Sequence, residues 1–249
     1  MESEPRENPV EVESLKKAFG KQKVLDGVNL QVASGETLAV LGRSGTGKSV
    51  LLKLLIGLQK PDSGRIAIHG KDLATLNGQQ LNELRLRIGF LFQQAALYDS
   101  LTVEDNVAFP LRRHSSDPQE KQREKVRELL ESVGMQDHGN KMPSEISGGM
   151  QKRVGLARAL VLDPDILLFD EPTAGLDPIT SGEIDELIVE LREKRKLTAI
   201  VVTHDIRGAR TFAHRLVLLR EGKIVAEGSF ADLQQNDDRF VQQFVGSLS

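Results

Sequence analysis

The chain has 249 residues, 39% hydrophobic and 28% charged, with no cysteine and a net charge of -3 from 33 basic and 36 acidic side chains. That length can bury a large core in one compact unit, and the composition excludes a disordered or fibrous protein. The charge balance offers no broad electropositive field for a nucleic-acid backbone, and the missing cysteines exclude a disulfide framework, cysteine-ligated zinc and a cysteine nucleophile.

The opening MESEPRENPVEVE is acidic and polar, where an export signal needs a basic start and an apolar run. The longest apolar runs, Leu54 to Leu58 and Leu216 to Leu219, fall far below the ~18 residues that span a bilayer. Any membrane role is therefore expected to be peripheral.

In chain order, β-rich pieces come first: Val10 to Leu15, Val28 to Val32 and Thr37 to Leu41, separated by turn signals at Gly20, Asp26-Gly27 and Ser34-Gly35. They read as antiparallel sheet feeding a core strand, TLAVL. That strand runs into GRSGTGKS and then VLLKLLIGL, whose Leu51, Leu54, Leu55 and Leu58 recur at helical spacing. RIAIHG is a short alternating strand, and Leu86 to Phe92 is another β-like stretch ending at Gln93. From about Ala95 to Leu160 the pattern is helical. There Asp117 is placed to cap, Pro118 suits the first helical position, and Val126, Leu129, Leu130 and Val133 form a stripe stopped by Gly134. Two βα units follow: DILLF with a helix over Pro178 to Arg195, then TAIVVTH. A hairpin turning at Glu221-Gly222 and two short helices, around Phe230 to Leu233 and Arg239 to Phe244, finish the chain. The order predicts an α/β fold, a parallel sheet covered by helices. One domain is expected over 1–249, with a core of 10–93 and 160–246 and a helical lobe at about 94–159.

Gly42, Arg43, Ser44, Gly45, Thr46, Gly47, Lys48 and Ser49 match the phosphate-loop pattern G-x-x-x-x-G-K-[S/T], set between an apolar strand and an amphipathic helix. Glycines let the backbone wrap a polyphosphate with its N–H groups inward, and the helix N-terminus adds partial positive charge. Lys48 would reach the β and γ phosphates, and Ser49 would place its hydroxyl on magnesium. Asp170 and Glu171 end the ILLF strand, at the sheet edge that opens toward ligands. Adjacent strand residues point to opposite sides, which gives Asp170 to the metal and Glu171 to a water attacking the γ-phosphate. DEP taken alone reads better as a solvated acidic turn, and the phosphate loop upstream reverses that preference. Ser147, Gly148, Gly149 and Met150 precede the helical run QKRVGLARAL and offer a second anion-binding helix N-terminus. That triplet by itself is a weak signal.

With these elements in order, the sequence resembles the ABC ATPase family from about Val10 to Gly246, which implies a phosphate-loop NTPase core with an antiparallel β subdomain and an inserted helical subdomain. GRSGTGKS looks like Walker A, ILLFDE like Walker B with the catalytic glutamate, and ISGGMQKR like the ABC signature. Gln93 holds the Q-loop place, AGLD ending at Asp177 resembles the D-loop, and His204 in VVTHD resembles the switch histidine. Phe19 falls where the family stacks an aromatic on adenine.

The resemblance implies a homodimer sandwiching two ATP molecules with Mg2+, each between one Walker A and the partner's signature. Ser147 and Gly149 would bind γ-phosphate in trans, Asp177 would cross the interface, Gln93 would sense magnesium and the attacking water, and His204 would hold γ-phosphate. It also implies that the chain sits peripherally on the cytoplasmic face of the inner membrane, against integral membrane permease subunits, with Leu97, Tyr98, Val107 and Phe109 as contact candidates. The alternative is that they fill the helical lobe's own core, and for Val107 and Phe109 the two readings stand even. Met150, Ile146, Val50 and Phe19 depart from the usual Gln, Leu, Thr and Tyr. GKSVLLK, SGGM and FQQAALYDSLTVEDNVAFPL together look like the ATPases of MCE-type lipid importers, which implies an MCE-domain substrate-binding protein and lipid cargo. A nutrient importer or an exporter stays open, because the permease selects the cargo. A DNA- or ribosome-remodelling ABC ATPase is opposed by the single cassette, and nucleic acid is not expected as a partner. His69, His114, His138 and His214 are expected to be surface or packing residues.

Overall fold

The structure, a computed structural model, describes residues 8–246. The first seven residues, most of the acidic opening, lie outside the described residues. The chain runs β1 (Val10–Phe19), β2 (Gln22–Val32), β3 (Thr37–Leu41), α1 (Lys48–Leu55), β4 (Ser63–Ile68), β5 (Lys71–Asp72), α2 (Gly78–Arg85) and β6 (Ile88–Leu91). Three helices follow, α3 (Val103–His114), α4 (Gln119–Ser132) and α5 (Gly148–Leu160). The remainder is β7 (Ile166–Asp170), α6 (Pro178–Arg195), β8 (Thr198–Thr203), α7 (Ile206–Phe212), β9 (Arg215–Arg220), β10 (Lys223–Gly228), α8 (Phe230–Gln234) and α9 (Arg239–Gly246).

Two sheets result. The antiparallel one has the order β2-β1-β4-β5; the other, β10-β9-β3-β8-β7-β6, is parallel except for its edge strand β10. Strands β3, β7 and β8 are buried along their whole length, as continuous apolar runs require when both faces are covered. Alternation then divides their side chains. Leu41, Phe169 and Val201 join the core beneath α3, α5 and α6, while Val40, Leu168 and Val202 join the core shared with α1 and the antiparallel sheet. Each fully buried residue of this kind contributes about 1.5–3 kcal/mol.

Between the sheets' strands, α3 to α5 form the helical insertion. Thr102 caps α3 by accepting from Asp105 N at 3.1 Å. Helix α4 ends in a left-handed glycine, Gly134 at φ 69, with Gly134 N bonded to Glu131 O and Met135 N to Leu130 O. Its stripe of Val126, Leu129, Leu130 and Val133 is at most 4% exposed.

Three local expectations are corrected, one open alternative is decided and one helix was missed. Asp26-Gly27 is no turn: β2 starts at Gln22 and passes through a bulge there, which Gly27 permits at φ 86 while Asp26 N bonds to Gly222 O. Asp117 does not cap α4. Pro118 keeps an extended ψ of 148, so the helix starts one residue later, and Asp117 instead bonds Ser115 and Lys121. Leu58 is not on the buried face of α1, since the helix stops at Leu55 and Gly57 (φ 64) turns the chain away, leaving Leu58 54% exposed. Val107 is fully buried in the core and cannot contact a partner. Helix α2 was not anticipated; its GQQLNELR buries only Leu84, and its signal was the capping box of Asn77 with Gln80.

Among the described residues, no helix is long and apolar enough to cross a membrane.

Candidate functional site

The loop Gly42 to Ser49 joins the carboxyl end of β3 to α1. Gly45 and Gly47 sit at φ 79 and 99, and a Cβ on Gly47 would stand 2.8 Å from Val24 of β2, so only glycine fits there. Thr46 folds the loop back on itself through Arg43 O, its N at 3.3 Å and its Oγ1 at 2.9 Å. The α1 cap is Gly47 itself, with no capping side chain, so the first-turn N–H groups face the loop cavity together with the positive end of the helix dipole. Lys48 is 5% exposed. Its ammonium donates to Gly42 O at 2.8 Å and Arg43 O at 3.1 Å, and pairs with Glu171 Oε1 at 3.2 Å.

The two carboxylates at the end of β7 separate as their chemistry needs. Asp170 closes the strand and accepts from Ser49 Oγ at 2.7 Å. Glu171 leaves the strand in the left-handed region, φ 50, with its N–H bonded to Val202 O, so its side chain turns toward Lys48 on one oxygen and His204 on the other. The left-handed turn, more than strand alternation, divides the pair. His204, just after β8, directs both its backbone N–H (3.2 Å) and Nδ1 (2.8 Å) at Glu171 Oε2.

Phe19, Val24, Ser44, Gly45, Gly47, Lys48, Ser49, Val50, Gln93 and Glu171 line one cleft of about 260 Å3. Phe19, at the end of β1, is 47% exposed, with the Lys17 ammonium 5.4 Å from its ring centre. Arg43, also exposed, lies beside the ring of Phe240 on α9, as does Arg220.

Ser147, Gly148, Gly149 and Met150 are not among the residues lining that cleft. Ser147 caps α5, accepting from Met150 N at 3.2 Å. The α5 start packs instead against the segment of Asp177: a Cβ on Gly149 would stand 2.4 Å from Thr180 Cγ2, and one on Gly148 3.6 Å from Leu176. Asp177 caps α6 through Ile179 N and Thr180 N, both at 3.0 Å, and takes the Thr180 hydroxyl at 2.6 Å, a bond that holds its carboxyl below the usual range. Within one chain, the sequence-derived residues therefore fall into two groups.

Lys152, which the sequence reading did not single out, joins the neighbourhoods. It is 5% exposed on α5, and its ammonium donates to the carbonyls of Gln93 and, at 3.3 Å, of Glu171. Burial pulls its pKa down to about 8, against the pull of Asp170 and Glu171. Its signal was its place one turn before buried Leu156, on the inward face of QKRVGLARAL. Asp185 on α6 was missed likewise: it is buried among Ile184, Leu187 and Ile188, and burial raises its carboxyl to about 7, helped by Asp205.

A second concavity of about 450 Å3, lined by Phe90, Phe92, Tyr98, Phe109, Pro110 and Arg113 among others, lies beside β6. Tyr98 and Phe109 meet there at a 45° tilt with ring centres 4.7 Å apart, whereas Leu97 packs on the core.

Residues 25–174, spanning the phosphate loop to the carboxylate pair, match the family model described as ABC transporter. The chain belongs to the ABC transporter family. It is the ATP-binding, ATP-hydrolysing subunit type of that family, and the ATP-binding protein MlaF of an intermembrane phospholipid transport system in Haemophilus influenzae is 43% identical over 239 residues, covering 96% of this chain and 90% of that protein. A probable ribonucleotide transport ATP-binding protein, mkl, of Mycobacterium leprae is also 43% identical, over 95% of this chain and 68% of that one. Among solved structures, a dimeric ATP-binding cassette in a post-hydrolysis state bound to ADP and Pi superposes with a TM-score of 0.81 at 35% identity, covering 88% of this chain and 98% of that one.

Proposed function

We propose that this ABC ATPase drives a permease that moves phospholipid or a similar lipid across the cell envelope, working as a homodimer on the cytoplasmic face of the inner membrane. The observation that carries the enzymatic part is the convergence of Lys48, Ser49, Asp170, Glu171 and His204 on one glycine-built cradle. The cradle fits a triphosphate: left-handed glycines, an uncapped helix N-terminus and a central buried ammonium together make an anion site. Ser49 Oγ and Asp170 Oδ1, in contact, are hard oxygen donors suited to Mg2+, which supplies charge neutralisation on the phosphates when bound.

In this reading Lys48 exchanges its loop carbonyls for the β and γ phosphates. Glu171 accepts the proton of the attacking water, and His204, hydrogen-bonded to it, orients that base beside the γ-phosphate. Gln93 lines the same cleft and would sense metal and water, and Phe19 offers its exposed face to adenine. Ser147 to Met150 and Asp177, which stand outside the cleft, would complete the partner's site. The whole of 10–246 would act as one unit, the stretch of about 94–159 carrying Ser147 to Gly149. The groove of Tyr98 and Phe109 would receive the permease.

The lipid assignment is supported by the SGGM signature and by the 43% identity to the MlaF protein of Haemophilus influenzae. The equally similar mkl protein favours ribonucleotide as the second reading. Purification of the native membrane assembly separates them: an MCE-domain subunit with bound phospholipid supports the first, and ribonucleotide-stimulated turnover without such a subunit supports the second.

A further inference from the structure

An ammonium buried without a carboxylate partner in direct contact is costly, and it persists where its hydrogen bonds fix something. Lys152 is such a group. Its helix, α5, opens at Ser147, and its ammonium reaches two segments that come from different strands: the carbonyl of Gln93, beyond β6, and the carbonyl of Glu171, beyond β7. Six residues later on α5, Arg158 donates to Ala95 O at 2.6 Å and Ala96 O at 2.8 Å, both residues in the left-handed region at φ 57 and 49. One helix thus grips the backbone from Gln93 to Ala96 at three carbonyls, and among the described residues Lys152 extends that grip to Glu171.

On the reading given under Proposed function, Gln93 and Glu171 serve the nucleotide held by the same chain, whereas Ser147 to Gly149 serve the nucleotide held by the partner. We propose that Lys152 is a positioning residue that locks the α5 N-terminus to Gln93 and Glu171, so that the half-site offered to the partner is set by the state of the chain's own half-site. The lock acts on backbone carbonyls, so it transmits where the segments lie rather than which side chains they carry. A local role limited to packing would be filled as well by an apolar side chain of similar length, since methionine in place of a buried ammonium removes a desolvation penalty.

The test uses the full chain with Glu171→Gln, which halts hydrolysis so that ATP-driven association is read at equilibrium. Lys152→Met is added to it, and Lys152→Arg separately. The expected result is that Lys152→Met binds ATP as a monomer within about twofold of its parent, unfolds at the same or a higher temperature, and associates at least about tenfold more weakly with ATP. Lys152→Arg, which keeps donors and charge, recovers most of that loss. Unchanged association in Lys152→Met would overturn the proposal, as would a matching loss of folding stability and association that arginine does not rescue. If the Glu171→Gln parent itself fails to associate with ATP, the sandwich reading is lost, and this inference with it.

Discussion

Glu171 Oε2 receives two hydrogen bonds from one residue, His204: the ring Nδ1 at 2.8 Å and the backbone N–H at 3.2 Å. With Glu171 ionised, a carboxylate only accepts, so Nδ1 carries the hydrogen and a neutral ring leaves Nε2 as the acceptor. The His204 side chain is 62% exposed while that of Glu171 is 11% exposed, so the histidine is the accessible partner of a buried carboxylate. His204→Ala removes only the ring contact. Turnover is expected to fall about 10–100-fold through loss of orientation, with ATP affinity kept within a few-fold. Parallel turnover and isothermal binding measurements check it, and an unchanged rate would remove His204 from the catalytic set.

Gly149 and Thr180 form a steric lock. A Cβ on Gly149 meets Thr180 Cγ2 at 2.4 Å, while the Thr180 hydroxyl is committed to Asp177 at 2.6 Å, so the methyl group cannot rotate away without losing that bond. Gly149→Ala is expected to displace the start of α5 and lower turnover about tenfold or more, with ATP binding by the single chain retained. Thr180→Ser deletes the offending methyl and keeps the hydroxyl, so the double variant should regain most of the activity. A double variant no better than Gly149→Ala would count against this contact as the cause.

Asp185 sets a pH dependence of stability. Among the described residues its Oδ1 has no hydrogen-bond partner, and Gly208 of α7 packs closely on its Oδ2. Its pKa rises from 3.8 to about 7 on folding. Below about pH 4 both states carry the proton; between there and about 7 only the folded state does, so stability falls as pH rises through that window and levels off above it. Asp185→Asn should therefore raise the melting temperature at pH 8 by a few degrees, each kcal/mol being worth ~2–4 °C at this size, and should do less at pH 5. Calorimetry at both values decides; an equal shift at both would exclude titration of this group.

The motif-bearing segments were legible because they couple local pattern to backbone need. GRSGTGKS between β3 and α1 demands glycines at positive φ, and DILLF and TAIVVT are continuous apolar runs that fit only a buried parallel sheet. Errors arose where tertiary contacts overrode local signals. Asp26-Gly27 resembles a turn but is held in β2 by the Gly222 carbonyl, and the core reading of Val107, open in the sequence, is decided only by the packing of α3. Lys152 and Asp185 were passed over because a charged residue on a helix is ordinarily solvated; only the packing of α5 and α6 turns those positions inward. The grouping of Ser147 to Met150 with Asp177, away from Lys48, rests on chain folding that no local pattern encodes.

Lys48→Ala separates the cradle from the rest of the site. It removes the ammonium that bridges Gly42 O, Arg43 O and Glu171 Oε1, so ATP affinity should fall at least about tenfold, the scale of one charge-assisted contact. Equal affinity in variant and parent, by titration with a fluorescent ATP analogue, would place the nucleotide elsewhere.

The most direct test of the account is the turnover of Glu171→Gln measured beside its ATP affinity. Glutamine keeps a donor and an acceptor near Lys48 and His204 but cannot take the proton of the attacking water. Affinity should match the parent within a few-fold while turnover drops by about two to four orders of magnitude, or about 3–5.5 kcal/mol of barrier. A variant that hydrolyses ATP at the parent's rate would show that Glu171 is not the base, and the chemistry assigned to this cleft would be wrong.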